Sequence, residues 1–128
     1  TAAIEGNPND PQAYYGRGYA YSLRGRLDQA IADYNKAIEL KSDYADAYNN
    51  RGAAWYQKCD YAKAVADYSK AIELQPDAAR AYNNRAAAYY RLQQYDKARA
   101  DLAACEKLGG KCDPFLARTL AGQGEAVK

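Results

Sequence analysis

The sequence has no histidine and no methionine, and only one phenylalanine, one tryptophan and three cysteines. Without histidine there is no Ser-His or Cys-His nucleophile pair, no imidazole base and no imidazole metal ligand. Lys, Glu and Tyr chemistry and carboxylate metal binding stay open in principle, but nothing converges on a Gly-rich or strained catalytic loop. The chain is therefore read as no enzyme. Three scattered cysteines without histidine do not form a zinc site, and no motif calls for a cofactor. Long apolar runs are also missing, and mean hydropathy is −0.72, so no membrane insertion is expected. Charge of one sign is missing as well. Against 18 Lys+Arg stand 16 Asp+Glu, net +2, in no long block, which nominates neither nucleic acid nor an anionic membrane. No signal peptide is visible, and Thr1 in place of an initiator Met suggests a processed product or an excised fragment.

What the chain has in abundance is tyrosine, 14 in 128 residues, and the tyrosines recur. Ala13-Tyr14-Tyr15-Gly16-Arg17-Gly18, Ala47-Tyr48-Asn49-Asn50-Arg51-Gly52 and Ala81-Tyr82-Asn83-Asn84-Arg85-Ala86 align without gaps at a period of 34. The same phase aligns Tyr21, Trp55 and Tyr89, then Ala30, Ala64 and Ala98, then Tyr34, Tyr68 and Leu102. Each unit reads as two helices. In the second unit residues 47–58 carry Tyr48, Gly52, Ala54 and Trp55 at helical spacing. Cys59-Asp60 makes the turn, and residues 62–74 carry Ala64, Val65, Tyr68, Ala71 and Ile72 on one face. Small residues at 18, 52 and 86, and at 30, 64 and 98, let the paired helices approach.

The 34-residue period, the placed aromatics, the small residues and Pro76 closing the second unit together resemble the tetratricopeptide repeat family. The resemblance implies an all-α fold: a right-handed α-solenoid of three helix-turn-helix repeats with a C-terminal capping helix. Its parts are the end of a preceding repeat helix and a linker (1–10), repeats at 11–44, 45–78 and 79–112, and the capping helix and tail (113–128). The first part rests on Ala3-Ile4-Glu5 followed by Pro8, which matches Ala71-Ile72-Glu73 followed by Pro76. For the last part Asp113 is the expected N-cap and Pro114 the first turn, with the helix stopping near Ala121 before Gly122 and Gly124.

The resemblance also implies a peptide-binding groove on the concave wall made by the first helices. Its lining residues are Tyr15, Tyr19, Asn49, Asn50, Tyr56, Arg80, Asn83, Asn84, Tyr90 and Arg91. Asn can donate to and accept from an extended backbone, and Tyr supplies rigid apolar area with a hydroxyl. The alternative is that the paired Asn residues reflect duplication and solvation alone. A subset of the family clamps the C-terminal carboxylate of chaperones. At the clamp positions this chain has Tyr15, Tyr19, Asn50, Arg80 and Asn84, of which only Asn50 matches outright and Arg80 in part, so chaperone tails are not the expected ligand. Arg80 and Arg91 lean weakly towards an acidic peptide.

Two further series carry alternatives. Arg17, Arg51 and Arg85 stand one per repeat, as do Asp33, Asp67 and Asp101. They read as a ladder of Arg–Asp pairs tying helices together, the alternative being an open anion-binding row of arginines. Cys105 and Cys112 flank a chain reversal at Gly109-Gly110 and come within reach of a disulfide; otherwise they are two reduced thiols. The expected function is a non-catalytic protein–protein interaction module, with a protein or peptide partner and no nucleic acid. The competing reading is a self-assembly scaffold, a homo-oligomer formed through the groove or the end helices. The near-consensus motifs look bacterial. The missing Met and the cysteine pair favour periplasm or secretion slightly over cytoplasm, with the compartment otherwise unknown.

Overall fold

The structure is a computed structural model that describes the backbone of residue 4 and residues 6–127, and side chains as far as residue 122. The expected tail of a preceding helix at residues 3–5 lies for the most part outside the described residues. Among the described residues seven helices follow one another with no strand between them. They are α1 (Pro11–Leu23), α2 (Leu27–Leu40), α3 (Ala45–Gln57), α4 (Tyr61–Leu74), α5 (Ala79–Arg91), α6 (Tyr95–Lys107) and α7 (Pro114–Val127). Each helix packs on its sequence neighbours, which makes an all-α helical-repeat solenoid.

The turns inside the pairs follow from how the first helices end. Asp60 N–H donates to the Trp55 carbonyl at 2.9 Å and Cys59 N–H to that of Tyr56 at 2.9 Å. The same two bonds recur from Arg26 and Gly25 onto Tyr21 and Ser22, and from Gln94 and Gln93 onto Tyr89 and Tyr90. This closing motif places one residue in the left-handed region, at Gly25 (φ 74°), Cys59 (φ 64°) and Gln93 (φ 62°). Only the first of these three is the residue that adopts that conformation freely.

Within each pair the helices meet at one small residue. A Cβ on Gly18 would stand 2.9 Å from Tyr34 Cε1, and one on Gly52 2.8 Å from Tyr68 Cε1. Tyr34 and Tyr68 are buried, and their rings occupy the space that the missing side chains leave. In the third pair both partners change together: Ala86 replaces glycine and Leu102 replaces tyrosine, each fully buried or nearly so. A methyl group is present where the facing side chain no longer has a ring.

Beside this contact each arginine of the ladder makes a two-pronged bond. Arg17, Arg51 and Arg85 donate through Nε and Nη2 to both oxygens of Asp33, Asp67 and Asp101, at 2.8 and 2.7 Å in every pair. The carboxylates are buried. The third prong reaches the preceding repeat: Arg51 Nη1 donates to Asn35 Oδ1 at 2.8 Å and Arg85 Nη1 to Ser69 Oγ at 3.1 Å. The guanidinium groups also lie over Tyr14, Tyr48 and Tyr82. The arginines are therefore helix ties, and the reading of an open anion-binding row is set aside.

At the C-terminal end Asp113 caps α7, accepting from Phe115 N–H at 3.0 Å and Leu116 N–H at 3.3 Å. Leu116 and Leu120 are buried against Ala86, Ala98 and Leu102, and the Arg99 guanidinium donates to the Leu120 carbonyl. The helix runs on to Val127, not to the stop expected near Ala121. Each glycine weakens a helix by about 1 kcal/mol relative to alanine but keeps its N–H, so Gly122 and Gly124 do not interrupt the ladder as a proline would. A disulfide joins Cys105 to Cys112, with Cα atoms 6.1 Å apart, and closes the reversal that leads into α7. Cys59 is a free, exposed thiol.

Three outcomes are expected. Leu102→Tyr alone should destabilise by about 1–3 kcal/mol through overpacking against Ala86, and Ala86→Gly should recover most of that loss. Additive effects in a denaturant double-mutant cycle would show that the two positions are not coupled. Cys59→Gly should raise stability by about 0.5–1 kcal/mol by relieving the left-handed turn, measured in the same unfolding experiment. Intact mass without reductant should be two hydrogens below that of the reduced chain, and Cys112→Ser should cost about 2–3 kcal/mol under oxidising conditions.

Candidate functional site

The first helices α1, α3 and α5 lie side by side, and residues about one repeat apart face each other across them. Asn50 Nδ2 donates to the Tyr15 hydroxyl at 2.8 Å, and Arg80 Nη2 donates to Asn50 Oδ1 at 3.1 Å. This links all three helices through one amide. Asn84 Nδ2 reaches Asn49 Oδ1 at 3.4 Å, and Arg91 Nε donates to the Tyr56 hydroxyl at 3.2 Å. Seven of the ten residues expected on this face are thus joined in pairs or chains. Asn49 and Asn50 are only 8% exposed, so they form the floor of the face. Their amides already tie repeats together in the free protein, so the alternative of duplication and solvation alone does not describe them.

The other three have separate settings. Tyr19 is 48% exposed and stands on the rim of α1. Tyr90 is half-buried with its ring 5.7 Å from Tyr95, as Tyr56 is from Tyr61 at 5.2 Å, so each second helix holds an aromatic of the preceding first helix. Asn83 is directed to the C-terminal reversal, where its Oδ1 accepts the Asp113 N–H at 2.9 Å. Tyr15 packs between Tyr34 and Tyr44. Burial pushes the Tyr15 hydroxyl above the usual phenol range, with Asp46 adding to the rise and Arg80 and the Asn50 hydrogen bond opposing it. It is a neutral acceptor for Asn50 at neutral pH.

A cleft of about 130 Å³ opens where the start of α3, the end of α4 and the start of α5 meet, lined by Asp46, Asn49, Gln75, Ala78 and Arg80 among others. Gln75 and Ala78 belong to the connection after a second helix, which the expectation of a groove built mainly by first helices passed over. The sequence did contain a signal there, since position 44 is Tyr and its repeat equivalent at 78 is Ala. Among the described residues no group of His, Cys, Asp or Glu is arranged to hold a metal ion. No helix among them is long and apolar enough to cross a membrane.

Family models described as tetratricopeptide repeat match residues 45–78 and, for a second one, residues 1–32 and 67–100; a third, described as TPR repeat, matches residues 18–58. No curated protein matches the chain. Among solved structures, the chain is similar to the Arabidopsis OM64 TPR domain at 26% identity and a TM-score of 0.85, covering 88% of this chain and 95% of that one. The TPR2B domain of yeast Sti1, solved as a pHsp70 complex, shows 28% identity and a TM-score of 0.75 over 77% of this chain and 78% of that one. YrrB, described as a TPR protein with an unusual peptide-binding site, shows 29% identity and a TM-score of 0.79 over 84% of this chain but 56% of its own. The matched segments run from residue 1 to residue 100, over the repeated Tyr, Gly and Ala positions that bring the helices together, and the chain belongs to the tetratricopeptide repeat family.

Proposed function

We propose that the chain is a non-catalytic interaction module that holds a peptide or helix of a protein partner on the concave face of α1, α3 and α5. The observation that carries this reading is the construction of that face: a buried Asn49/Asn50 floor cross-linked to Tyr15, Arg80 and Asn84, with Tyr19 and Arg91 exposed above it. A fixed floor under exposed aromatic and guanidinium groups suits binding, because little side-chain freedom is left to lose. The pHsp70 complex of the Sti1 domain and the peptide-binding site of YrrB support the same use of a similar fold. Tyr15 and Tyr19 at the clamp positions argue against a chaperone C-terminal tail. The Cys105–Cys112 bond fits an oxidising compartment, periplasmic or secreted.

A second reading, self-assembly through an end of the solenoid, is favoured by Phe115, 70% exposed on α7. Light scattering over a concentration series separates the two, because a strict monomer leaves the partner-binding module. For the module itself, peptides selected by display against the wild-type chain should bind Tyr19→Ala and Arg91→Ala about fivefold or more weakly. Lys36→Ala on α2 should bind them unchanged. Equal affinity for both face variants would place the binding surface elsewhere.

A further inference from the structure

The three repeats treat one equivalent place in three ways. In repeat 1 it is filled: Tyr44, which precedes α3, lays its ring 5.0 Å from that of Tyr15, under the Lys41 ammonium at 4.7 Å. In repeat 3 it is crossed by the chain itself. Asp113, next to the disulfide-bonded Cys112, reaches it and donates its N–H to Asn83. In repeat 2 the covering residue is Ala78, whose φ −80° and ψ 83° match the φ −82° and ψ 84° of Tyr44. The backbone is the same, the side chain is a methyl, and the place is the open 130 Å³ cleft.

We propose that this cleft is a subsite for one side-chain amide, a Gln or Asn, of a peptide lying on the first-helix face. This rests on the reading of that face as a peptide site. The lining sets the chemistry: Ala45, Ala71, Ala78 and Ala81 leave the room, and Asp46, Asn49, Gln75 and Arg80 supply the polar groups. Asn49 is the repeat equivalent of Tyr15 and Asn83, so the floor is an amide, not an aromatic ring. Asn83 displays the bond such a floor makes, accepting an N–H from an extended segment. Among the described residues Asn49 Oδ1 receives one hydrogen bond, the long 3.4 Å bond from Asn84, and keeps a second lone pair. Arg80 supplies donors on one wall, held in place by Asn50, and Asp46 supplies an acceptor on another. Among the described residues no ion pair joins Asp46 to Arg80.

A primary amide is neutral and, unlike a hydroxyl, carries its donor and its acceptor on separate atoms, so it satisfies Asp46 or Asn49 through its N–H and Arg80 through its carbonyl at the same time. A carboxylate would meet Arg80 but face the Asp46 charge. An apolar side chain would cover the buried Asn49 amide without adding to its long bond from Asn84. The subsite therefore prefers Gln or Asn to Glu, Leu or Tyr.

The test is a host–guest titration followed by NMR of labelled wild-type chain. Acetyl-Gly-Ser-X-Ser-Gly N-methylamide peptides are used with X as Gln, Asn, Glu, Leu or Tyr, so that the main chain is constant. The Gln or Asn guest should shift the Asn49 and Arg80 side-chain signals saturably, with an apparent affinity about fivefold above the Glu and Leu guests. Ala78→Tyr, which places at 78 the side chain that repeat 1 carries at 44, should abolish that preference while its unfolding midpoint stays near wild type. A Glu guest that binds tighter than Gln, or a Gln preference that survives in a folded Ala78→Tyr chain, overturns the subsite. Equal shifts for all guests around Tyr19 and Arg91 also overturn it but leave the peptide face standing. No shift anywhere on α1, α3 and α5 removes both.

Discussion

The distance between the two helices of a repeat governs the rest of the molecule. It is set where a backbone without a side chain meets a tyrosine ring, at Gly18 on Tyr34 and Gly52 on Tyr68. With the ring in contact with the backbone, the helices are near enough for an arginine on one to reach both oxygens of an aspartate on the other. The three Arg–Asp bonds repeat to within 0.1 Å. In the third repeat Ala86 and Leu102 keep the separation by a different division of the same volume, and the Arg85–Asp101 bond is unchanged. A bidentate bond at constant length across two kinds of core is evidence that the spacing, not the ring, is the conserved quantity among the repeats.

The arginines convert that spacing into a stack. A buried carboxylate carries a desolvation penalty that one hydrogen bond does not offset, whereas a planar guanidinium satisfies both oxygens and keeps an N–H to spare. That spare N–H goes to Asn35 or Ser69 on the preceding second helix, so one side chain orients three helices. Lysine could neutralise the charge but could not present this planar fork. Asp67 and Asp101 are thus buried charges that hold the arginines by which one repeat is oriented on the one before it. This orientation in turn lines up the first helices, on which the candidate site depends.

Much of this was legible in the sequence, and the reason is the repetition itself. A period of 34 aligns positions that would be ambiguous singly. The helix pairs, the small contact residues and the Arg–Asp partnership each appear three times in register. The exchange of Tyr68 for Leu102 together with Gly52 for Ala86 was visible as two columns, but their coupling needs the distance between them. The burial of the Asn floor, expected as groove lining with solvation as the alternative, was not legible because its partners lie 35 residues away. Asn50 looks exposed until Tyr15 and Arg80 are placed on either side of it. At the C-terminal end the reading of Gly122 and Gly124 as stops weighed propensity alone, although glycine retains every backbone bond that a helix requires. Ala78 was passed over for the opposite reason: what matters there is a missing side chain, and its one signal is the departure from Tyr44 a repeat earlier.

The buried floor has a thermodynamic consequence for any ligand on this face. Asn50 already makes hydrogen bonds to Tyr15 and Arg80, so a ligand that took either bond would have to replace it and gain little net. The groups able to add affinity are those whose capacity is unspent: the Asn49 amide at its long contact with Asn84, the Arg80 donors beyond Asn50, and the rim at Tyr19 and Arg91. The internal network therefore divides the face into residues whose hydrogen bonds are used within the repeat stack and residues that keep open capacity. Asn50, the one outright match to the carboxylate-clamp pattern, falls in the first group. A residue can thus keep its place in a family motif while its hydrogen bonds serve the repeat stack.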